Sequence, residues 1–225
     1  MGRSSGFIVA KAGTTAFLAA VLPVVLSAAL ANAAMAAVVD QASLTADFAA
    51  RDALPESKVP PARWSEPRFG SWGPHAGDYP PVTVPSGNDP VQWQRARILA
   101  VAKKYIGLPY QHHHIPAWSP AEGPGLDCSN YTAWVYNYGL GMKFNSDVHK
   151  QADSPESPGR RLNPNEPFLP GDLLYIMKND RSEVSHVVIF IDERHVIDSH
   201  DGSVQIREFK GWYRTHLSHA RRIIE

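Results

Sequence analysis

The sequence predicts an α+β domain in which N-terminal helices pack on an antiparallel sheet. Two observations lead to this fold class. From Asp89 onward, two segments with helical spacing of apolar residues come first. Several short apolar runs separated by turn residues follow them. Helices followed by a series of strands are typical of an α+β domain, which is predicted over residues 90–225.

The first helix is predicted to begin at Pro90, because Asp89 has the character of an N-cap and proline is favoured at the first helical position. The apolar residues that follow recur with mostly helical spacing, and Gly107 interrupts the pattern. A second helix fits residues 129–138 and is expected to end at Gly139.

Four apolar runs predict strands. The first is Leu173–Met177, which follows the turn residues Pro-Gly-Asp at 170–172. The others lie at residues 187–191, 196–197 and 204–206. Their close spacing along the chain favours antiparallel pairing.

The start of the chain predicts a secretory signal peptide over residues 1–33, with cleavage after residue 36 as the alternative. Arg3 and Lys11 give a positive start, an apolar run over 14–30 follows, and two small-x-small sites come next. An uncleaved membrane anchor is the competing interpretation, but the apolar run is marginal for spanning a bilayer. The protein is therefore expected in the periplasm or outside the cell, with no stable membrane anchor after cleavage.

Residues 34–89 are predicted to form a Pro-rich arm or linker. Eight prolines between residues 40 and 89 disfavour long helices and central strands. Four aromatic residues lie among them: Trp64, Phe69, Trp72 and Tyr79. A purely solvated linker carries fewer aromatics, so the arm is expected to lie against the domain.

Charge and cysteine content narrow the possible functions. Lys plus Arg and Asp plus Glu both number 22, and the chain shows no basic cluster of the kind that binds nucleic acid. The single cysteine excludes an internal disulfide. A lone free thiol in an exported protein is a liability in an oxidising compartment, which favours a reactive function.

That cysteine, Cys128, directly precedes the second helix. The positive end of a helix dipole favours the thiolate, which is the nucleophilic form. A buried structural cysteine is the alternative, because free cysteine is among the most buried residue types.

His186 opens the predicted strand over 187–191, where its ring could serve as the base that accepts the thiol proton. A third polar group usually orients such an imidazole. Asp198 and His200 are two residues apart on the next strand, so both could face the same side. A surface position is the alternative for any one of the ten histidines.

Several motifs in this order resemble the NlpC family of papain-like cell-wall cysteine peptidases. The resemblance covers about residues 98–200. Its motifs are GLPY at 107–110, LDCS at 126–129 with WVY at 134–136, Gln151, LPGDLL at 169–174 and SHVVIF at 185–190. Residues 40–89 have no counterpart in it.

The resemblance implies a papain-like fold and hydrolysis of an amide bond in peptidoglycan stem peptides through a thioester. By position, Cys128 would be the nucleophile and His186 the base. The family usually has a histidine twelve residues after the base, where this chain has Asp198; His200 is the alternative orienting residue. Tyr110 would help the Cys128 backbone N–H to stabilise the oxyanion. No cofactor and no metal ion are expected.

The pocket is expected to differ from the family pattern. Asp127 and Ser129 would lie beside the site and hold a substrate amine or amide. Asn130 and Val188 replace glycines that are common in the family, and QHHH at 111–114 replaces a Trp-Gly-Gly loop.

The histidines of that loop are expected to line the rim or the substrate cleft. His112 and His114 could converge if this segment is extended, because alternate residues share a face. A zinc site is the less favoured alternative, since no spaced ligand motif accompanies them.

Two other function classes remain open from the sequence. One is a cysteine amidase or acyltransferase that acts on a different exported substrate. The other is a non-catalytic cell-wall-binding module of the same fold. Rapid labelling of Cys128 near neutral pH would favour the enzymes, and labelling only after unfolding would favour the module.

Overall fold

The computed structural model divides the chain into two compact units, Met1–Ala37 and Val38–Glu225. It describes residues 1–2, 39–53, 79–110 and 126–225. The predicted signal peptide therefore lies almost wholly outside the described residues, as do His112 and His114. None of the helices in the described ranges is long and apolar enough to cross a membrane. All further description concerns the second unit.

Within these ranges, the second unit has five α-helices, one 3-10 helix and six strands. The α-helices are Phe48–Asp52 (α1), Pro90–Lys104 (α2), Cys128–Leu140 (α3), Val148–Ala152 (α4) and Trp212–Thr215 (α5). The strands are Arg160–Arg161 (β1), Leu173–Met177 (β2), Val184–Asp192 (β3), His195–His200 (β4), Ser203–Glu208 (β5) and Leu217–Arg222 (β6). The 3-10 helix is Gln41–Leu44. This composition confirms the predicted α+β class.

The six strands form one antiparallel sheet in the order β1-β6-β2-β3-β4-β5. The central strands β2 and β3 are buried over most of their length, which explains their continuous apolar runs. Alternate residues serve opposite faces. On one face, Tyr175 and Val187 join the main core with α2 and α3. On the other face, Leu174 and Val188 join a smaller cluster beneath α5.

The first predicted helix boundary is confirmed by α2. The Asp89 side chain accepts a hydrogen bond from the Gln92 N–H at 2.8 Å, and Pro90 is the first helical residue. The helix ends at Lys104, three residues before Gly107, which has a positive φ of 88°. Two turn residues, Tyr105 and Ile106, therefore separate the end of the helix from the glycine that signalled it.

The predicted end of the second helix was wrong. Helix α3 begins one residue earlier than expected and runs to Leu140, and Gly141 caps it with φ at 71°. Gly139 stays helical because it lets α2 approach closely: a Cβ there would lie 3.0 Å from Ile98 Cδ1. Glycine at that position thus serves helix packing instead of termination.

The described part of the predicted arm packs on α2 and α3. Arg97 is fully buried and donates to the Leu44 carbonyl and to Asp47 Oδ1, both at 2.6 Å. Arg51 donates to the Tyr138 carbonyl at 3.0 Å. Buried guanidinium groups need such partners, so these contacts fasten residues 39–53 to the end of α3 that lies opposite Cys128.

Gly141→Ala is expected to destabilise the protein by about 1–3 kcal/mol, because an alanine there is strained by the left-handed backbone. Its Cβ would also lie 2.8 Å from the Tyr79 carbonyl oxygen and 2.7 Å from the Pro81 nitrogen. Chemical denaturation measures the loss. Gly87→Ala is the matched control, since Gly87 has φ at 87° but nothing within 4 Å of the added carbon. Equal losses in the two variants would contradict the proposed clash with residues 79–81.

Candidate active site

Cys128 is the first residue of α3. The Asp127 side chain caps this helix by accepting the Asn130 N–H at 2.8 Å. The Cys128 thiol is free, and the residue has 7% of its surface exposed. The first backbone N–H groups of a helix have no intrahelical acceptor, and the dipole there is positive. The sulfur therefore lies where negative charge is favoured.

Polar contacts hold the first turn of α3 in place. The Ser129 hydroxyl donates to Asp127 Oδ1 at 3.2 Å. The Ser129 carbonyl accepts a hydrogen bond from Gln151 Nε2 at 2.8 Å, and Gln151 is fully buried. Asp127 and Ser129 thus help to shape the turn that carries Cys128, and their contact with substrate stays a prediction.

His186 connects the thiol to a buried carboxylate. Its Nε2 lies 2.7 Å from Asp198 Oδ2, and Cys128 is close enough to act electrostatically on the imidazole. Burial by itself would lower the pKa of His186. The negative charge of Cys128 and the hydrogen bond with Asp198 outweigh burial and raise the pKa to about 10. His186 is therefore charged at neutral pH.

Asp198 lies on β4 with no exposed surface. Its Oδ2 also accepts a hydrogen bond from the Tyr213 hydroxyl at 2.8 Å, and its Oδ1 accepts one from Arg207 Nε at 2.8 Å. Burial would raise the pKa of the carboxyl, but the hydrogen bonds from His186 and Tyr213 and the charges of His186 and Arg207 lower it. Asp198 is therefore ionised at neutral pH.

His200 lies beside His186, but Asp198 is the residue that hydrogen-bonds to His186 Nε2. The centroids of the His186 and His200 rings are 4.8 Å apart, and the His200 ring stacks on Trp212 at 6.0 Å. Burial and the positive charge of His186 lower the pKa of His200. His200 is therefore neutral at neutral pH, and its ring packs against the ring of His186.

Tyr110 lies near Cys128 from the segment that precedes α3. Its backbone N–H donates to the Gly202 carbonyl at 3.0 Å, and it forms an isolated bridge with Leu126. Burial, followed by the negative charges of Cys128 and Asp127, raises the pKa of Tyr110 to about 12. Its hydroxyl is therefore protonated at neutral pH and is available as a donor.

A cavity of about 950 Å³ lies next to His200. Its lining includes His200, Arg207, Trp212 and Tyr213. Arg207, Trp212 and Tyr213 were not singled out from the sequence. For Arg207 a signal was present: Asp201-Gly202 is a two-residue hairpin turn of a favoured type, and the register it sets pairs Asp198 with Gln205 and places Arg207 two residues further along. For the tryptophan and the tyrosine no comparable signal exists.

Comparison with known proteins identifies a family. A family model described as NlpC/P60 matches residues 107–222, just over half of the chain. The search of curated proteins found no match.

Several solved structures are similar to the chain. An NlpC/P60 family protein from Bacillus cereus is 25% identical with a TM-score of 0.47, over 57% of this chain and 39% of its own. The peptidoglycan hydrolase RipB from Mycobacterium tuberculosis is 18% identical with a TM-score of 0.48, over 63% and 69%. The NlpC/p60 domain of the peptidoglycan hydrolase SagA is 26% identical with a TM-score of 0.43, over 57% and 97%. The chain spans less than half of the length of the Bacillus protein.

Proposed function

Because the chain belongs to the NlpC/P60 family, we propose that it is an exported cysteine peptidase that hydrolyses amide bonds in the peptides of peptidoglycan. The observation that carries the proposal is the connected arrangement of three side chains. Cys128 opens α3 and interacts electrostatically with His186, whose Nε2 lies 2.7 Å from Asp198 Oδ2. This is the order of nucleophile, base and orienting group that amide hydrolysis requires.

In the first step, the Cys128 thiolate attacks the carbonyl carbon of the scissile amide. A carbon–sulfur bond forms, and the carbonyl electron pair moves to the oxygen. The Cys128 backbone N–H and the Tyr110 hydroxyl are the donors proposed to stabilise that oxyanion. Tyr110 suits this role because it is protonated at neutral pH.

In the second step, the oxyanion collapses and the carbon–nitrogen bond breaks. The departing nitrogen takes the proton of the His186 imidazolium, so an amine leaves and a thioester remains. The leaving part of the substrate must therefore lie on the His186 side of Cys128.

Water completes the cycle. Neutral His186 accepts a proton from the water as its oxygen attacks the thioester, and the thiolate departs as the carboxylate product forms. Asp198 holds the imidazole in one orientation through both halves of the reaction and favours its charged form.

Digestion of purified peptidoglycan tests this proposal. The mature protein and Cys128→Ala are incubated with peptidoglycan, and the released fragments are identified by mass spectrometry. New peptide fragments from the wild type alone are the expected result, and their masses name the bond that is cleaved. The alanine variant controls for fragments that arise without the nucleophile.

Two negative results would separate the alternatives. Absence of fragments together with rapid alkylation of Cys128 would overturn the peptidoglycan substrate and favour an amidase or acyltransferase on another exported molecule. Absence of fragments together with a thiol that reacts only after unfolding would favour a non-catalytic wall-binding module.

The hydrolysis rate is expected to fall as pH rises through about 10, the pKa of the buried His186 imidazolium. Above that pH the imidazolium loses the proton that the leaving amine needs. Alkylation of Cys128 by iodoacetamide should not fall over the same range, because the thiolate needs no proton to react. Parallel rate measurements from pH 6 to 11 would check this. A fall in hydrolysis that is already complete near pH 7 would contradict the raised pKa.

A further inference from the structure

Four ionisable side chains lie in sequence through the candidate site. In the thiolate–imidazolium form proposed above, their charges alternate in sign from Cys128 through His186 and Asp198 to Arg207. The first three are 7%, 4% and 0% exposed. The charges of the four residues sum to zero. Without Arg207, the other three residues carry one net negative charge.

Arg207 lies on β5 and hydrogen-bonds to Asp198. Its Nε donates to Asp198 Oδ1 at 2.8 Å, and its Nη2 donates to the His200 carbonyl. These two hydrogen bonds leave Asp198 Oδ2 for His186 and Tyr213. The Arg207 side chain is 20% exposed and cannot lose its proton in the physiological range, so it is a permanent counter-charge for a carboxylate with no exposed surface.

The other titratable groups around Asp198 do not supply this charge. Tyr213 contributes a neutral donor, and the pKa values of Tyr213 and Tyr131 are raised by burial and by the Asp198 charge. Burial and the charge of His186 lower the pKa of His200. Asp201 is negative and pairs with His200 at 3.1 Å. The titratable groups that interact with Asp198 come from α3, β3, β4, β5 and α5 and are Tyr131, His186, His200, Arg207 and Tyr213, while Cys128 acts on His186 and Asp201 acts on His200.

We propose that Arg207 is a positioning residue that keeps Asp198 ionised and aimed at His186, and thereby maintains the thiolate–imidazolium pair. The inference rests on the catalytic roles proposed above for Cys128, His186 and Asp198. It does not depend on which amide the enzyme cleaves.

Loss of the guanidinium should weaken the thiolate through Asp198. Without its counter-charge the carboxylate can take up a proton, and His186 then loses the anion that stabilises its positive charge. The thiol is then harder to ionise, so the acidic limb of Cys128 reactivity moves to higher pH.

The test follows alkylation of Cys128 by iodoacetamide from pH 4 to 9, which needs no peptidoglycan. Arg207→Met removes the charge with little change in volume, and its acidic limb should move up by about one pH unit. At a pH on that limb, alkylation should be about ten-fold slower than in the wild type. Arg207→Lys retains a positive charge and should recover at least about half of the shift.

A double-mutant cycle with Asp198→Asn isolates the route through Asp198. In that background, Arg207→Met should move the acidic limb by less than about a third of its effect in the wild type. The double variant also removes both partners of the buried pair, so it avoids the unpaired charge that makes single variants unstable. Thermal unfolding of all variants checks that each is folded at the assay temperature.

Three outcomes would overturn the inference. The first is an unchanged limb in Arg207→Met, which would leave Arg207 with a structural role only. The second is an equal shift with and without the Asp198 carboxylate, which would mean that Arg207 acts directly on Cys128 or His186. The third is a wild-type limb typical of an ordinary exposed thiol, which would remove the ion pair itself. A failure of peptidoglycan digestion would bear on the proposed substrate and not on this result.

Discussion

His186→Gln should lower the rate of peptide hydrolysis by ~10³-fold or more, because catalytic residues of this kind act as a unit. Glutamine can keep a hydrogen bond to Asp198 but cannot carry a positive charge. The thiolate then loses its neighbouring counter-charge, and the leaving amine loses its proton donor. Initial rates of fragment release from peptidoglycan measure the loss. The acidic limb of Cys128 alkylation should move to higher pH in the same variant.

His200→Gln is the matched control for that substitution. His200 is also an imidazole next to the site, with its ring centroid 4.8 Å from that of His186. It lacks the hydrogen bond to Asp198 and should cost less than about ten-fold in rate. A loss as large as that of His186→Gln would assign His200 a direct part in the reaction. It would contradict the interpretation that His200 only packs against His186.

The parts of the site that sequence alone predicts are those with local signals. Asp127 and Cys128 mark the start of α3 because a cap and a dipole act on adjacent residues. Asp198 and His200 share a face because strand residues alternate. The choice between them was not available from the sequence, because it depends on the distance from His186, which is set by the pairing of β3 with β4.

Arg207 and Tyr213 were not singled out from the sequence. Arg207 contacts Asp198 because the β4–β5 hairpin pairs Asp198 with Gln205, and a slip of one residue would turn Arg207 to the other face. Tyr213 lies on α5, a helix of four residues whose position depends on packing against the smaller core cluster. Such a short helix has no periodicity from which it could be predicted.

The last strand, β6, was also not predicted, and its composition explains why. Leu217–Arg222 contains one histidine and two arginines and lacks an apolar alternation. Its arginines are accommodated by particular partners: Arg221 donates to the Pro158 carbonyl and Arg222 donates to Asp172. A strand held by paired charges next to β2 does not carry the usual hydrophobic pattern.

Asp172→Asn should destabilise the protein by about 3–5 kcal/mol, the usual cost of breaking a buried ion pair from one side. Asp172 is 1% exposed. It accepts hydrogen bonds from Arg95 at 3.3 Å, from Arg222 at 2.7 and 3.1 Å, and from the Leu169 N–H at 2.9 Å. An asparagine would leave Arg95 without its carboxylate and would leave Arg222 only Glu166, which lies 2.7 Å from its Nη1. Thermal unfolding should show a midpoint lower by about 10 °C, given about 2–4 °C per kcal/mol for a domain of this size.

Asp153→Asn is the control, since its carboxylate is 82% exposed and lies 3.9 Å from Arg161. Exposed pairs at such distances contribute little to stability, so the midpoint of this variant should not change.

Below its own unfolding temperature, Asp172→Asn should be alkylated at Cys128 with the wild-type pH profile, because Asp172 joins β2, α2 and β6 and does not contact the candidate triad. A wild-type midpoint would mean that Arg95 and Arg222 find other acceptors or water. A normal midpoint with a shifted alkylation profile would move Asp172, and with it the LPGDLL motif, from the framework of the sheet to the chemistry of the site.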